Sequence, residues 1–196
     1  MRVSRAEVFS DIYAANRWNG TETPSGPGST MAATALLRER LPVLIGELGG
    51  RHVLDAGCGT GYWMPELPGY IGVDVAGVAL AAARRAHPER RYLAADICAD
   101  PLPASDIVIC RDALQHLSLA DGLAAVANFR AAGASWLITT THADQANRDI
   151  TTGDWYAINV EAPPFDMGTA YVKFPDGVWD NGVWRIDKFI GAWPLL

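Results

Sequence analysis

Val53-Leu54-Asp55-Ala56-Gly57-Cys58-Gly59-Thr60-Gly61 is the stretch that decides the fold of this chain of 196 residues. A short apolar run ends at the acidic Asp55, and alternating glycines follow it. Glycine has no Cβ and tolerates positive φ, so such a loop lets a ligand approach bare backbone. The pattern predicts a strand over Arg51–Ala56, a turn, and a helix over Thr60–Leu67. The free N–H groups at the start of that helix would favour an anion or a carboxylate.

The spacing of the glycines separates two classes of nucleotide-binding loop. The dinucleotide fingerprint G-x-G-x-x-G has its third glycine one residue later, where this chain has Tyr62. The D-x-G-x-G-x-G pattern from Asp55 to Gly61 instead resembles motif I of the class I methyltransferases that use S-adenosylmethionine. The resemblance implies that Asp55 and the glycine backbone hold the methionine part of this cofactor, whose demethylated product is S-adenosylhomocysteine.

Two further acids end the next two predicted strands. Tyr70–Val75 is a strand that contains Asp74, 19 residues after Asp55. An acid at this point of a nucleotide-binding α/β fold accepts hydrogen bonds from ribose hydroxyls. A third strand, Arg91–Ala95, is followed by Asp96-Ile97. The resemblance implies that Asp96 meets the adenine amine and that the next backbone N–H faces the ring, whereas a turn-capping aspartate is the alternative.

Alternating strands and helices predict an α/β sheet with right-handed crossovers. The resemblance implies a Rossmann-like class I methyltransferase fold, with a mostly parallel seven-stranded sheet, helices on both faces and an antiparallel C-terminal hairpin. Periodicity predicts the remaining elements. These are helices over Ala6–Asn16, Met31–Leu48 (kinked or divided at Pro42), Val75–His87 and Asp121–Arg130, and strands over Asp106–Cys110, Ala134–Thr141, Ala170–Phe174 and Val183–Ile190, with turns at Pro175-Asp176-Gly177 and Asp180-Asn181-Gly182.

We expect one methyltransferase domain over residues 1–196. Residues 1–48 carry the N-terminal helices, 49–141 form the cofactor-binding core, and 142–196 build an acceptor pocket and the closing hairpin. The stretch Pro24–Ser29 is rich in proline, glycine and serine, which is typical of a flexible linker. Trp18 just before it favours a second interpretation, a lid over the cofactor, because a large aromatic side chain usually packs against something.

Composition limits the classes of partner and compartment. The formal net charge of −6 and the pI of about 5.1 speak against a nucleic-acid-binding face, which is usually basic. Cys58, Cys98 and Cys110 form no C-x-x-C pair, which fits a reduced, cytoplasmic setting. We expect neither a signal peptide nor a membrane span, because no apolar run is long enough. The chain is expected to be a monomer or a homodimer.

The residues that could carry chemistry follow the fourth and fifth strands. Carboxyl ends of parallel strands meet at one edge of the sheet, so Asp112, His116 and His142 should converge near the methyl group. His116 is the first candidate base because imidazole titrates near neutrality, but a cofactor contact or a structural role would also fit it. His142 is the alternative base. Asp112 would orient a histidine or accept from the acceptor hydroxyl, and Arg111 would pair with a carboxylate or hold Asp112.

The sequence thus predicts three sets of site residues. The catalytic candidates are His116, His142 and Asp112. Cofactor contacts are predicted at Trp18, Ser29, Asp55, Ala56, Gly57, Cys58, Gly59, Trp63, Asp74, Val75, Asp96, Ile97 and Arg111. Acceptor contacts are predicted at Gln115, His116, His142, Arg148, Trp155 and Tyr156, with core packing as the alternative for the last two. No metal site is expected, because the histidines show no paired ligand spacing.

The prediction is therefore an S-adenosylmethionine-dependent methyltransferase that acts on a small molecule, such as a hydroxyl of a sugar or natural product. Amino-methyltransferases of nucleic acids carry an N/D-P-P-Y/F tetrad where this chain reads Cys110-Arg111-Asp112-Ala113. Two alternatives remain open, a cofactor-binding protein without methyl transfer and an NAD(P)-dependent oxidoreductase on the same type of sheet. Asp55 and Tyr62 oppose the second.

Overall fold

A seven-stranded sheet forms the centre of the computed structural model, which describes residues 3–176, 179–180, 183–184 and 187–195. Its strands, in chain order, are β1 (Val53–Ala56), β2 (Ile71–Asp74), β3 (Arg91–Ala94), β4 (Ile107–Cys110), β5 (Trp136–His142), β6 (Val172–Pro175) and β9 (Lys188–Pro194). The spatial order is β3-β2-β1-β4-β5-β9-β6. The five strands from β3 to β5 are parallel, and β9 is antiparallel to both β5 and β6. The predicted sheet with an antiparallel end is confirmed.

Helices cover both faces of this sheet. They are α1 (Arg5–Ala14), α2 (Ala35–Glu47), α3 (Gly77–Ala86) and α4 (Leu119–Ala131), with single 3₁₀ turns at Pro27–Ser29 and Leu114–His116. Strand β4 is buried at all four positions, as expected of a parallel strand covered on both sides. Alternate side chains of β4 pack on opposite faces of the sheet. Val108 packs in the cluster that contains Phe129 of α4, whereas Ile107 packs with Leu41 of α2.

Helix α2 is a single helix, although Pro42 lies inside it. Proline removes one helical hydrogen bond and crowds the preceding turn. Leu37, Leu41, Leu44 and Ile45 are all buried against the sheet. Burial of a leucine or isoleucine side chain stabilises by about 1.5–3 kcal/mol each, so packing holds the helix together across the proline.

The helix predicted over Thr60–Leu67 is wrong, because this stretch consists of turns and irregular backbone. Gly61 has a φ of 61°, which is the left-handed region and not the helical one. Pro65 and Pro68 follow within the next residues and cannot donate to a helical ladder. The glycine loop therefore leads into no helix, and an anion site at a helix start does not exist here.

The C-terminal strand predicted over Val183–Ile190 is also wrong in part. The structure has a small antiparallel pair, β7 (Trp179–Asp180) with β8 (Val183–Trp184), and then the long β9. Strand β9 lies between β5 and β6 and is hydrogen-bonded to both of them. The predicted turns at 175–177 and 180–182 include Gly177, Asn181 and Gly182, which lie outside the described residues.

The remaining elements agree with their predictions within a few residues at each end. Among the helices of the described residues, none has the length and apolar character that a membrane crossing requires. The carboxyl ends of β1, β2, β3, β4 and β5 all open on the same edge of the sheet, and the order reverses between β1 and β4. In open α/β sheets, ligands bind in the crevice at this edge.

Candidate active site

A cavity of about 600 Å³ lies at the carboxyl edge of the parallel strands. This volume is in the range typical of small-molecule and cofactor sites. Most of the residues predicted for the site line it. They are Trp18, Ser29, Asp55, Gly57, Cys58, Gly59, Trp63, Asp74, Val75, Asp96, Ile97, Arg111, Asp112, Gln115, His116, His142 and Trp155.

Three predicted site residues do not line the cavity. Ala56 and Tyr156 are buried in the main hydrophobic cluster, where they pack with residues of α4 and the sheet. Arg148 is exposed, and its Nη2 donates to the carbonyl oxygen of Trp155 at 3.2 Å. For Tyr156 the core-packing alternative fits the structure, because a side chain buried on all sides offers no wall to an acceptor.

The glycine loop is held by Asp74. The N–H of Gly59 donates to Oδ2 of Asp74 at 2.8 Å, and the N–H of Ala76 donates to Oδ1 at 2.7 Å. Each carboxylate oxygen keeps a second lone pair for a ligand hydroxyl. A Cβ at Gly57, whose φ is 80°, would stand 2.7 Å from the Cβ of Ala113. The loop therefore admits only glycine here and leaves bare backbone along the cavity.

Asp55 lies at the end of β1 beneath this loop. Its Oδ2 accepts a hydrogen bond from the hydroxyl of Tyr70 at 2.8 Å. Burial raises the pKa of Asp55 to about 7, since a desolvated carboxylate is costly and one hydroxyl compensates it only in part. A cationic group of a ligand next to Asp55 would favour the ionised form. Asp55 thus fits the ammonium end of an amino-acid ligand.

Asp96 is engaged by two groups of the chain itself. Its Oδ2 accepts from Nε of Arg5 at 2.7 Å, and its Oδ1 accepts from the N–H of Cys98 at 2.9 Å. The second bond is the turn cap that the sequence left open as an alternative. Arg5 also donates to Asp121 at 2.8 Å, so helix α1 is fixed across this end of the cavity.

The segment before α2 is bonded to the glycine loop. Oγ1 of Thr23 lies 3.0 Å from Oγ1 of Thr60, and Oγ of Ser25 lies 3.3 Å from the same atom. Thr23 is only 3% exposed. The indole ring of Trp18 packs on the ring of His116, with 5.1 Å between their centroids. The segment is therefore an ordered cover over the cavity and not a free linker, while a lid motion stays a prediction.

Arg111 contacts a carboxylate of the chain itself. Its Nε and Nη2 donate to the two oxygens of Asp176 at 2.9 Å and 3.0 Å, which is a bidentate pair. Nη2 also donates to the carbonyl oxygen of Gly28 at 2.9 Å, and Nη1 lies 3.2 Å from Oδ2 of Asp112. Arg111 thus ties the cover segment to the end of β6 and leaves little donor capacity for a cofactor.

Sequence reasoning missed Asp176 and Lys188, although both charges are buried at this site. Nζ of Lys188 lies 2.7 Å from Oδ2 of Asp112 and 3.2 Å from Oδ2 of Asp176. Lys188 also lines the cavity. Burial alone would raise the pKa of Asp112, but the positive charges of Arg111 and Lys188 outweigh it and lower the pKa. No local pattern marks these residues, because the pairing of β9 with β5 and β6 brings them together.

The hydrogen bonds of the two histidines define their tautomers. Nδ1 of His116 lies 2.9 Å from the carbonyl oxygen of Asp154, and Nδ1 of His142 lies 3.2 Å from that of Ile158. A carbonyl oxygen can only accept, so Nδ1 carries the proton in both rings and Nε2 is left as an acceptor. Burial lowers the pKa of both histidines, which keeps them neutral near pH 7. Neutral imidazoles with a free Nε2 are suited to accept a proton.

Residues 53–133 match a family model described as a methyltransferase domain. A malonyl-[acyl-carrier protein] O-methyltransferase of Pectobacterium atrosepticum is 42% identical over 76 residues, which is 37% of this chain and 30% of the relative. A protein of the same name from Serratia marcescens is 38% identical over 94 residues, covering 44% and 37% of the two chains. The chain thus spans about a third of the length of these curated relatives.

Among solved structures, the magnesium protoporphyrin IX methyltransferase of Synechocystis PCC 6803 superposes with a TM-score of 0.68 over 98% of both chains, at 16% identity. At this identity the likeness concerns the fold. It agrees with the match of residues 53–133, which contain the glycine loop. Residues 53–133 thus match a methyltransferase domain, and the chain as a whole has the class I methyltransferase fold.

The cavity has two parts. The glycine-loop half is formed by Asp55, Gly57, Gly59, Asp74 and Asp96, and it lies at the ends of β1 to β3. The histidine half is formed by Asp112, His116, His142, Trp155 and Lys188, and it lies at β4, β5 and β9. Among the residues that the structure describes, no three histidine, cysteine, aspartate or glutamate side chains are placed to share a metal ion.

Proposed function

We propose that this protein is a methyltransferase that moves the methyl group of S-adenosylmethionine to a hydroxyl of a small acceptor, such as a sugar or natural product. The observation that carries the proposal is the fixed tautomer of His116. Its Nδ1–H is used by the carbonyl of Asp154, so Nε2 is an acceptor on a ring that lines the cavity. A hydroxyl that attacks a methyl group has to lose its proton, and a neutral imidazole can take it.

The glycine-loop half fits the cofactor on three observations. The buried Asp55 lacks a cationic partner within hydrogen-bond distance among the described residues, and a ligand ammonium would supply one. Asp74 keeps a free lone pair on each oxygen for the ribose hydroxyls. Gly57 and Gly59 line the cavity without side chains, so that a ligand can approach their backbone. Asp96-Ile97 is assigned to the adenine end, where Arg5 orients the carboxylate.

In the proposed reaction the bound cofactor supplies an electrophilic methyl group on a sulfonium. The acceptor must lie in line behind this methyl group, so positioning supplies much of the rate. Trp18 and Trp155 pack on His116 and His142 respectively, with centroid separations of 5.1 Å and 5.9 Å, and all four side chains line the cavity. They would form the walls of the acceptor pocket. His116 removes the hydroxyl proton, and His142 is the second candidate for this role.

The similarity to malonyl-[acyl-carrier protein] methyltransferases suggests a different acceptor, a carboxylate. A carboxylate attacks the methyl group without losing a proton, so it needs no base. A carboxylate would be held by an unpaired cation. Within the described part of the chain, the cations that line the cavity are Arg5, Arg111 and Lys188, and each already pairs with aspartates. Two imidazoles that offer acceptor nitrogens favour a ligand with hydrogen-bond donors. The site therefore supports a hydroxyl better than a carboxylate.

Calorimetric titration tests the cofactor. We expect S-adenosylmethionine and S-adenosylhomocysteine to bind and NAD not to bind. Asp74→Ala is expected to weaken binding of both ligands by about 1–3 kcal/mol, because the ribose hydroxyls then lose a buried partner. Asp106→Asn is a matched control at the opposite edge of the sheet, where Asp106 accepts from the backbone N–H groups of Arg51 and His52 and lies 3.3 Å from the His52 ring. Unchanged affinity in Asp74→Ala would show that the ribose assignment is wrong.

Methyl transfer is then measured as S-adenosylhomocysteine formed with a panel of hydroxylated compounds.

Cofactor affinity is expected to depend on pH through Asp55. Its pKa of about 7 lies above the ordinary value for aspartate, so the free protein holds a proton there below neutrality. A ligand ammonium favours the ionised form, and binding near pH 7 therefore releases a proton. Affinity for S-adenosylmethionine should be about tenfold weaker at pH 6 than at pH 8, as expected for one group that titrates between these values.

Calorimetry in two buffers of different ionisation enthalpy measures the released proton directly. Asp55→Asn is expected to bind more weakly at both pH values and to lose the part of the pH dependence that belongs to this carboxyl. If the wild-type protein and Asp55→Asn show the same pH profile and the same proton release, Asp55 does not meet a cationic part of the cofactor.

A further inference from the structure

Lys188 stands at the first position of β9, directly opposite His142 of β5 in the antiparallel register. Side chains of directly opposed residues lie on the same face of a sheet and within about 4.5–5.5 Å of one another at Cβ. Lys188 is 9% exposed and lines the cavity. A buried ammonium group is therefore held beside one of the two histidines of the site.

The same ammonium group is bonded to the loop that carries the other histidine. Nζ of Lys188 donates to Oδ2 of Asp112 at 2.7 Å, and His116 follows Asp112 by four residues. Asp112 has a φ of 53°, which non-glycine residues rarely adopt. Its N–H donates to Oγ1 of Thr140 at 2.9 Å, and that hydroxyl donates back to Oδ1 at 3.1 Å. These bonds hold Asp112 in an unfavourable backbone conformation at the start of the loop.

The charges around the two imidazoles come from several elements. The ammonium of Lys188 acts to lower the pKa of both His116 and His142, and the carboxylate of Asp112 acts to raise both, while burial is the largest influence on each ring. Asp187 also raises the pKa of His142. In the part of the chain that the structure describes, Arg111 and Asp176 are the other charged groups in contact with the Lys188–Asp112 pair.

We propose that Lys188 is a positioning residue of the histidine half, which acts with Asp112 on both imidazoles at once. The pair fixes the loop of His116 through Asp112, and the nearby ammonium adds to the effect of burial, which keeps both rings neutral and able to accept a proton. This role rests on the proposed base catalysis, and it explains why a buried lysine with two carboxylate partners lies beside the histidines.

The test is a pH titration of the histidine ring protons by NMR, on the whole protein without cofactor or acceptor. The chain has four histidines, so His52 and His87 serve as internal controls in the same spectra. Lys188→Met is expected to raise the pKa of both His116 and His142 by about one unit, because it leaves Asp112 partly unbalanced. Asp112→Asn should shift both in the opposite direction, and Lys188→Arg should leave both close to the wild-type values.

Opposite shifts in the two variants support the proposal, since a merely structural role does not predict them. Unmoved resonances, or shifts of the same sign, would overturn it. If Lys188→Met does not fold, Asp112→Asn decides: a fall in both pKa values supports the role, and a rise or no change refutes it. Because the titration contains no S-adenosylmethionine, its outcome is independent of the calorimetry that tests the proposed function.

Discussion

His116→Gln is expected to lower kcat for a hydroxylated acceptor by about 10²–10⁴-fold, the usual contribution of a general base. Glutamine can still donate to the carbonyl oxygen of Asp154, as Nδ1 of His116 does at 2.9 Å, but it takes no proton from the acceptor. Affinity for S-adenosylmethionine should change little, because His116 belongs to the histidine half. The measurement is the rate of S-adenosylhomocysteine formation with an acceptor found in the hydroxyl panel.

The pH dependence of the wild-type rate gives a second measure of the same role. Burial places the pKa of His116 below its ordinary value, so kcat should fall only below that pKa, where the ring becomes protonated. This acidic limb should vanish in His116→Gln. His52→Gln is the control, since His52 is exposed and pairs with Asp106 outside the cavity. A large residual rate in His116→Gln, with a loss in His142→Gln instead, would assign the base to His142.

Asp176→Ala is expected to lower the free energy of unfolding by about 3–5 kcal/mol, the cost of removing one partner from a buried ion pair. The side chains of Arg111 and Asp176 are each only 2% exposed, and two hydrogen bonds of 2.9 Å and 3.0 Å join them. Without Asp176 the guanidinium of Arg111 stays buried with Asp112 as its remaining carboxylate. Lys188 loses its second partner as well.

Urea unfolding followed by circular dichroism measures this loss. Glu89→Ala is the matched control, because Glu89 pairs with His87 and Arg90 at the surface, with a side chain that is 64% exposed. Exposed ion pairs contribute about 0–1 kcal/mol, so this variant should unfold near the wild-type urea concentration. Equal, small effects of the two substitutions would mean that the bonds around Arg111 do not stabilise the fold.

Local sequence patterns predicted correctly where the acidic residues at the carboxyl edge of the sheet lie. Asp55, Asp74 and Asp96 each stand at the end of a strand, and the parallel pairing of β1, β2 and β3 brings all three to one cavity. Periodicity and glycine spacing are properties of short stretches, which explains this success. The same local reasoning placed a helix after Gly61, where a positive φ and two prolines prevent one.

The contacts of Arg111 could not be predicted in full from the sequence. Arg111 was expected to contact the cofactor, to pair with a carboxylate or to hold Asp112. Besides Asp112, it contacts Asp176, which is 65 residues away in the chain, and the carbonyl oxygen of Gly28, which is 83 residues away. Tyr156 differs in the opposite direction. Its polar and aromatic neighbours in the sequence favoured a position in the wall of the acceptor pocket, but the fold buries it in the core.

The sequence by itself determined the class of fold, the parallel part of the sheet and the residues of the glycine-loop half, because an aspartate, a set of glycines and two later acids define them within single strands and turns. Only the tertiary structure decided the histidine half. The insertion of β9 between β5 and β6 sets Lys188 opposite His142, and carbonyl groups of Asp154 and Ile158 fix the tautomers of the two imidazoles. These are contacts between segments far apart in the chain, and no periodicity or spacing within either segment specifies them.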